Sequence, residues 1–317
     1  MSSYFLGVDG GQSSTTAIIG DESGRVVGYG RGGPCNHVTG AEAKARFLGA
    51  IGDAVREAAF RSATVMEPAT PHFASACLGF SGGAADKEQW LDEIFTADRR
   101  VVTHDGLIAL AGATAGKPGV IIIAGTGQFA FGRDAAGRTA RAGGWGYVYG
   151  DEGGGFDLTR QALRAALRDE EGWGPKTVLR EMLLAASGAK DANDLLHRLY
   201  TPEFARPVIA SWSHLVNDAA ANGDPCAREI LNAAARSLAD YALAVYGNLF
   251  PAKDPDVGVA YIGGMFKSRL LLDAFRAMVA PVMIRPPMYG PATGALLEAY
   301  RDAGLVVALS NVPEHEK

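Results

Sequence analysis

The sequence predicts an α/β protein of two domains, and three observations carry that reading. Apolar, β-branched runs alternate with helical patterns along the chain, as in sheets covered by helices. A strand, a turn of small residues and a returning strand occur twice, across residues 6–19 and again across 119–132, which is what a duplicated domain would leave. The 317 residues also exceed what one hydrophobic core typically organises.

The first series opens on the run Leu6-Gly7-Val8-Asp9-Gly10-Gly11-Gln12-Ser13-Ser14-Thr15-Thr16, read as a hairpin, and a third strand follows at Val26 to Gly30. A capping box at Thr39 to Glu42 starts a helix with Phe47, Leu48, Ile51, Val55 and Ala58 at helical spacing. The buried strand Ala74 to Phe80 ends in Ser81-Gly82-Gly83, and a charged amphipathic helix is expected from Asp86 to Phe95. Arg100 to His104 reads as a strand that delivers Asp105, with a helix from Ile108 to Ala115.

The second series pairs a strand at Gly119 to Ala124 with a turn at Gly125-Thr126-Gly127-Gln128 and a return strand at Phe129 to Gly132. A glycine-rich loop spans Gly143 to Gly155, helices dominate from Phe156 to Phe250, and a strand at Val257 to Ile262 opens onto Gly263-Gly264. A short strand at Val282 to Ile284 and a helix from Ala292 to Arg301 complete the pattern. The Pro313-Glu314-His315 tail is expected to fray.

Composition narrows the classes. Lys and Arg number 30 against 35 Asp and Glu, a net charge of −5 with both signs interspersed, so there is no basic stripe for a nucleic-acid backbone. Residues Met1 to Tyr4 lack the basic and apolar regions of a secretory signal, and no apolar run reaches membrane-spanning length. Cys35, Cys77 and Cys226 are far apart, without a C-x-x-C pair, and read as reduced thiols. A cytoplasmic protein without nucleic-acid or membrane partners is expected.

Several strand-end turns carry groups suited to chemistry, since such sheets bind ligands beyond the carboxyl ends of their strands. At the first turn, Gly10 and Gly11 let backbone N–H groups crowd an anion, and Ser13, Ser14 and Thr15 add donors. A carboxylate beside phosphate is repelled unless a divalent cation with its water shell stands between them, which would explain Asp9. An ordinary Gly-Gly hairpin is the plainer alternative. Asp105 is the candidate general base, provided an acceptor hydroxyl comes within about 2.6–3.2 Å, and a helix cap is its plainer reading. Asn36, Asp151 and Glu152 could bond sugar hydroxyls and Trp145 could stack on a sugar ring, or they could serve as turn former, helix cap and core. Thr126 offers a second hydroxyl and backbone donor set for phosphate, and Gly263 and Gly264 would let a nucleoside lie against backbone; a plain turn and tight packing are the alternatives. Gly112 to Pro118 is one residue short of a P-loop, and no zinc spacing or nucleophile elbow occurs.

Taken in order, these segments resemble the N-acetylglucosamine kinases grouped with the BadF/BadG/BcrA/BcrD ATPases, within the actin/hexokinase/heat-shock-protein ATPase superfamily. The matching pieces are Gly7 to Ser13, Cys35-Asn36-His37, Thr103-His104-Asp105, Ala124 to Gly127, Gly143-Gly144-Trp145-Gly146 with Gly150-Asp151-Glu152-Gly153, Asn222 to Pro225, and Ile262 to Ser268. The resemblance implies two actin-like (ribonuclease H-like) domains, each a mixed five-stranded sheet with helices, around a nucleotide and sugar cleft. The first would span residues 1–115 plus a returning C-terminal helix at about 292–306, and the second 116–291.

By the same resemblance Asp105 is the base, and Asn36, His37, Gly127, Gly144, Trp145, Gly146 and Asp151 hold the amino sugar. Asp9 acts on Mg²⁺ through water. Gly11, Gln12, Ser13, Ser14 and Thr126 hold the phosphates of ATP, and Ala219, Gly263, Gly264 and Lys267 flank its nucleoside. Members often carry Gly and Thr at the positions of Gln12 and Ser13, Lys at that of Ser14 and Ser at that of Gln128. The implied reaction moves the γ-phosphoryl group of ATP to the 6-hydroxyl of N-acetylglucosamine, in a homodimer. Glucosamine and N-acetylmuramic acid are alternative acceptors. A non-catalytic sugar sensor is disfavoured by the retained Asp105, and an ATP-driven activator by the absence of a cysteine in a cluster-binding segment.

Overall fold

The computed structural model describes residues 3–35, 42–62, 71–81, 88–201, 203–252 and 254–317. The chain divides into two units, one of Met1–Pro118 with Pro287–Lys317 and the other of Gly119–Pro286.

In the first unit, β1 (Tyr4–Gly10) and β2 (Thr15–Asp21) form the expected hairpin, with Asp9 opposite Thr16 and Gly10 opposite Thr15. β3 (Val26–Gly32) adds an antiparallel edge. Helix α1 (Glu42–Arg61) buries Phe47, Ile51, Val55 and Ala58 and packs on β2 and β3; the expected cap at Thr39 lies outside the described residues. Then come β4 (His72–Phe73), β5 (Ser75–Phe80), β6 (Thr96–Ala97), β7 (Arg100–His104) and α2 (Asp105–Ala113). The sheet order is β3-β2-β1-β5-β7, with β5 parallel to β1 and β7 parallel to β5. All six residues of β5 are buried, as expected of a central parallel strand covered on both faces. The short strands β4 and β6 pair separately. That pairing corrects the expected helix over Asp86 to Phe95, which is a 3₁₀ helix of Glu88–Glu93 within the described residues. The chain must be extended again at Thr96 to pair with His72.

The second unit repeats the plan. β8 (Gly119–Ala124), β9 (Gln128–Arg133) and β10 (Thr139–Gly143) run antiparallel in turn. Among the described residues six helices follow: α3 (Gly155–Glu170), α4 (Leu179–Ser187), α5 (Ala192–Leu199), α6 (Arg206–Ser211), α7 (Ser213–Ala221) and α8 (Pro225–Leu249). β11 (Gly258–Ile262), α9 (Arg269–Val279) and β12 (Met283–Arg285) close the unit. The order β10-β9-β8-β11-β12, with β11 parallel to β8 and to β12, matches the first sheet strand for strand. β10 carries no apolar run, because it is a half-exposed edge strand. Helix starts follow local chemistry: Asp224 accepts the Ala227 N–H at 2.9 Å ahead of Pro225, and Ser268 accepts the Leu271 N–H at 3.2 Å.

Helix α10 (Pro291–Asp302) belongs to the first unit and packs on β1 and α2. The approach is so close that a Cβ on Gly294 would stand 1.9 Å from the Ile108 carbonyl oxygen, and one on Gly7 2.2 Å from the Leu296 nitrogen. The tail does not fray. Gly290 N–H donates to the Glu316 carbonyl at 2.8 Å, Thr293 N–H donates to its carboxylate at 2.9 Å, and Glu316 is only 6% exposed. Gly290 precedes α10 and has no capping side chain of its own, so the helix's leading N–H groups take Glu316 instead.

Candidate active site

In the first unit, Asp9 stands near the carboxyl end of β1, and Asp105 directly follows the end of β7 as the first residue of α2. β1, β5 and β7 run in one direction, so both carboxylates stand at one end of one sheet. Between β1 and β2, Gly11 N–H donates to the Ser14 carbonyl at 2.9 Å, which leaves Gln12, Ser13 and Ser14 exposed. Asp105 is half-buried and accepts the Gly106 N–H. Burial raises its pKa above the ordinary carboxylate value, while that hydrogen bond and the neighbouring His104 pull against the rise. Asp9 is pushed up to about 7, first by burial and then by the like charges of Glu316 and Asp105.

A carboxylate raised by burial and by two neighbouring acids is a place where a cation would be held. Among the described residues no three His, Cys, Asp or Glu side chains converge as a direct metal cage. One carboxylate with a second acid near it fits a hard divalent ion that keeps most of its water. Glu316, the third acid, had no sequence signal, since it sits in a tail with turn-like composition and its partner Thr293 belongs to another element.

In the second unit, the turn of Gly125 to Gly127 is fastened to the start of α3. Gly155 N–H donates to the Gly125 carbonyl at 2.7 Å, and Phe156 N–H to that of Thr126 at 3.0 Å. Gly127 lies against the Asp151 carboxylate, where a Cβ would come within 2.5 Å of an oxygen. Asp151 has a left-handed backbone, φ +67°, and is 4% exposed. It accepts from Arg206 Nη2 at 2.5 Å and, at the limit of a hydrogen bond, from Gln128 N–H at 3.5 Å. Arg206 begins α6 and stacks on Tyr147 at 4.9 Å and on Phe156 at 5.7 Å. Gly144 N–H donates to the Gln128 carbonyl at 3.1 Å, and Trp145 beside it is 66% exposed with the Arg141 guanidinium 4.5 Å from its ring centre. Gly146 continues this loop with φ +81°. Glu152 accepts from the Tyr241 hydroxyl at 2.5 Å, and burial together with that contact pushes Tyr241 up to about 12. Thus Gly127, Asp151 and the Gly144–Trp145 backbone converge. Arg206 and Tyr241, partners from distant helices, had no local signal in the sequence.

The expected nucleoside segment begins where β11 ends. Gly263 has φ +112°, and a Cβ there would stand 2.2 Å from the Ala124 carbonyl oxygen, so only glycine fits; Gly264 faces open space. Lys267 ends a 3₁₀ turn of Gly264–Lys267 and is exposed. The Ser268 hydroxyl donates to Asn217 on α7 at 2.6 Å, tying the two segments together. Ala219 on the same helix is 1% exposed and its methyl group lies in the core, so this residue has only backbone to offer. Asn36 and His37 lie outside the described residues.

The chain is similar to known proteins along most of its length. The chain is 31% identical over 279 residues to the N-acetylmuramic acid/N-acetylglucosamine kinase of Clostridium acetobutylicum, spanning 86% of this chain and 89% of that one. It is 30% identical over 279 residues to the N-acetyl-D-glucosamine kinase of Dictyostelium discoideum, spanning 84% and 87%. A crystal structure from Chromobacterium violaceum, provisionally assigned as an N-acetylglucosamine kinase, superposes with a TM-score of 0.71 at 26% identity over 93% of this chain and 98% of that one. The sequence profile of the BadF/BadG/BcrA/BcrD ATPase family matches residues 6–299, and the chain belongs to that family.

Proposed function

We propose that the protein is an ATP-dependent amino-sugar kinase that phosphorylates the 6-hydroxyl of N-acetylglucosamine. The observation that carries this reading is the pair Asp9 and Asp105 at one end of the first sheet, one suited to a cation and the other to a hydroxyl. The relatives that span most of the chain are kinases of N-acetylglucosamine, which supports the choice of acceptor.

In this reading the sugar is held by Asn36 and His37, by Gly127, Gly144 and Gly146 and by the face of Trp145, with the buried carboxylate of Asp151 backing the Gly127 turn. Asp105 orients the 6-hydroxyl and takes its proton as the oxygen bonds to the γ-phosphorus; the bond to the bridging oxygen breaks and ADP leaves. Such transfers have a loose transition state in which the proton moves late, so positioning matters more than a strong base. Burial raises Asp105, which keeps it basic enough to accept that proton. The N–H groups around Gly11, the hydroxyls of Ser13 and Ser14, and Thr126 hold phosphate oxygens, and Gly263, Gly264, Lys267 and the backbone at Ala219 flank the nucleoside. Asp9 would hold Mg²⁺ through water, and the ion would supply charge neutralisation at the phosphates. A cytoplasmic homodimer completes the reading.

The test is release of ADP in a coupled assay with N-acetylglucosamine, glucosamine, N-acetylmuramic acid and unsubstituted hexoses. Sugar-dependent release that is fastest with N-acetylglucosamine is expected. Release without any sugar would favour an ATP-driven activator, and none with any sugar a sensor.

A further inference from the structure

Asp151 is poorly placed to meet a sugar directly. Its side chain is 5% exposed, one oxygen is taken by Arg206, the other faces the Gln128 N–H, and Gly127 covers the carboxylate. Arg206 keeps 36% of its side chain exposed. Its guanidinium lies 4.9 Å from the Tyr147 ring centre and 5.7 Å from that of Phe156, two rings packed edge-on against each other at 5.2 Å, and these contacts together with the bond to Asp151 restrain a side chain that usually wanders. A guanidinium has five N–H donors and no acceptor, and the bond to Asp151 engages Nη2. The open member of the pair is therefore a fixed cationic donor, next to the turn and loop where the sugar is proposed to lie.

A hydroxyl can either donate or accept, whereas a carbonyl or carboxylate oxygen only accepts. A fixed donor favours the second kind, and most strongly when the oxygen carries charge. We propose that Arg206 recognises an acceptor oxygen on a substituent of the amino sugar, the carbonyl of an N-acyl group or the carboxylate of an ether-linked acid. Asp151 then serves as a positioning residue that aims the guanidinium and pins the Gly127–Gln128 turn. The inference rests on the amino-sugar kinase reading and assigns that enzyme its selectivity.

The test compares kcat/KM for N-acetylglucosamine, N-acetylmuramic acid and glucosamine in the wild type, Arg206→Gln and Arg206→Lys. In Arg206→Gln the preference for the acylated sugars over glucosamine should fall at least tenfold, mainly through KM. Arg206→Lys keeps the charge without the planar fork and should fall between the two. A larger loss for N-acetylmuramic acid identifies the carboxylate as the oxygen read, and equal losses identify the N-acyl carbonyl. The same proportional loss on all three sugars would overturn the proposal, because that is what a structural ion pair would give. Should Arg206→Gln fail to fold, Arg206→Lys decides by the same ratio. A wild-type protein inactive on every sugar would sink the kinase reading itself, a result distinct from any pattern among the variants.

Discussion

Replacing Asp9 with Asn should stabilise the first unit at neutral pH while removing the group proposed to hold the cation. The Asp9 carboxyl is pushed up from the ordinary 3.8 to about 7. Between those two values the unfolded chain has lost the proton and the folded unit keeps it. The folded state then binds more protons, so stability falls as pH rises, by about 1.4 kcal/mol per pH unit. Three units set a ceiling of about 4 kcal/mol, fully felt above pH 7. An Asn side chain cannot ionise and escapes that cost. The assay is thermal unfolding of wild type and Asp9→Asn in metal-free buffer at pH 5 and pH 8, following the transition of the unit that contains residue 9. The variant's advantage should grow by about 2–3 kcal/mol between the two pH values, at about 2–4 °C per kcal/mol for a unit of this size. An advantage that does not change with pH, or a variant less stable at pH 8, would show that burial does not hold the Asp9 carboxyl protonated.

Asp105→Asn should lower kcat by a factor of about 10² or more, the usual contribution of general-base catalysis; near-normal turnover with folding intact would remove Asp105 from that role. Because burial raises Asp105, the acidic limb of the kcat profile should lie above the ordinary carboxylate range, with activity falling as pH drops through it, and a rate profile from pH 4 to 8 checks this. Gly294→Ala would put a methyl group 1.9 Å from the Ile108 carbonyl oxygen, so α10 must shift on α2, at a cost of at least about 1–3 kcal/mol in thermal unfolding; unchanged stability would mean that the contact is looser than described.

Much of the fold was legible because its signals are local. The turn at Asp9 follows from an apolar run, two glycines and a hydroxyl-rich run, and the strand before Asp105 from the β-branched run between Arg100 and His104. The matching strand orders of the two sheets were likewise foreshadowed by the recurrence of strand, turn and strand. What escaped depends on contacts between distant segments. Thr139–Gly143 is a strand only because it lies along β9. The helix expected before residue 96 is shortened because Thr96 pairs with His72. Arg206 lies 55 residues from Asp151, and nothing in the run from Glu203 to Pro207 announces that bond. Glu316 looked like tail composition, yet the uncapped start of α10 gives it a buried place. Ala219 shows the converse, a position carried over by resemblance whose side chain the packing of α7 withdraws into the core.

The proposed reaction transfers phosphate from ATP to one hydroxyl of an amino sugar. Incubation with ATP, magnesium and N-acetylglucosamine, followed by phosphorus–proton correlation NMR of the sugar product, tests it most directly. A single phosphate ester is expected, its phosphorus coupled to the two protons at C6. A phosphate at C1 or C3, or an unmodified sugar alongside accumulating ADP, would contradict it.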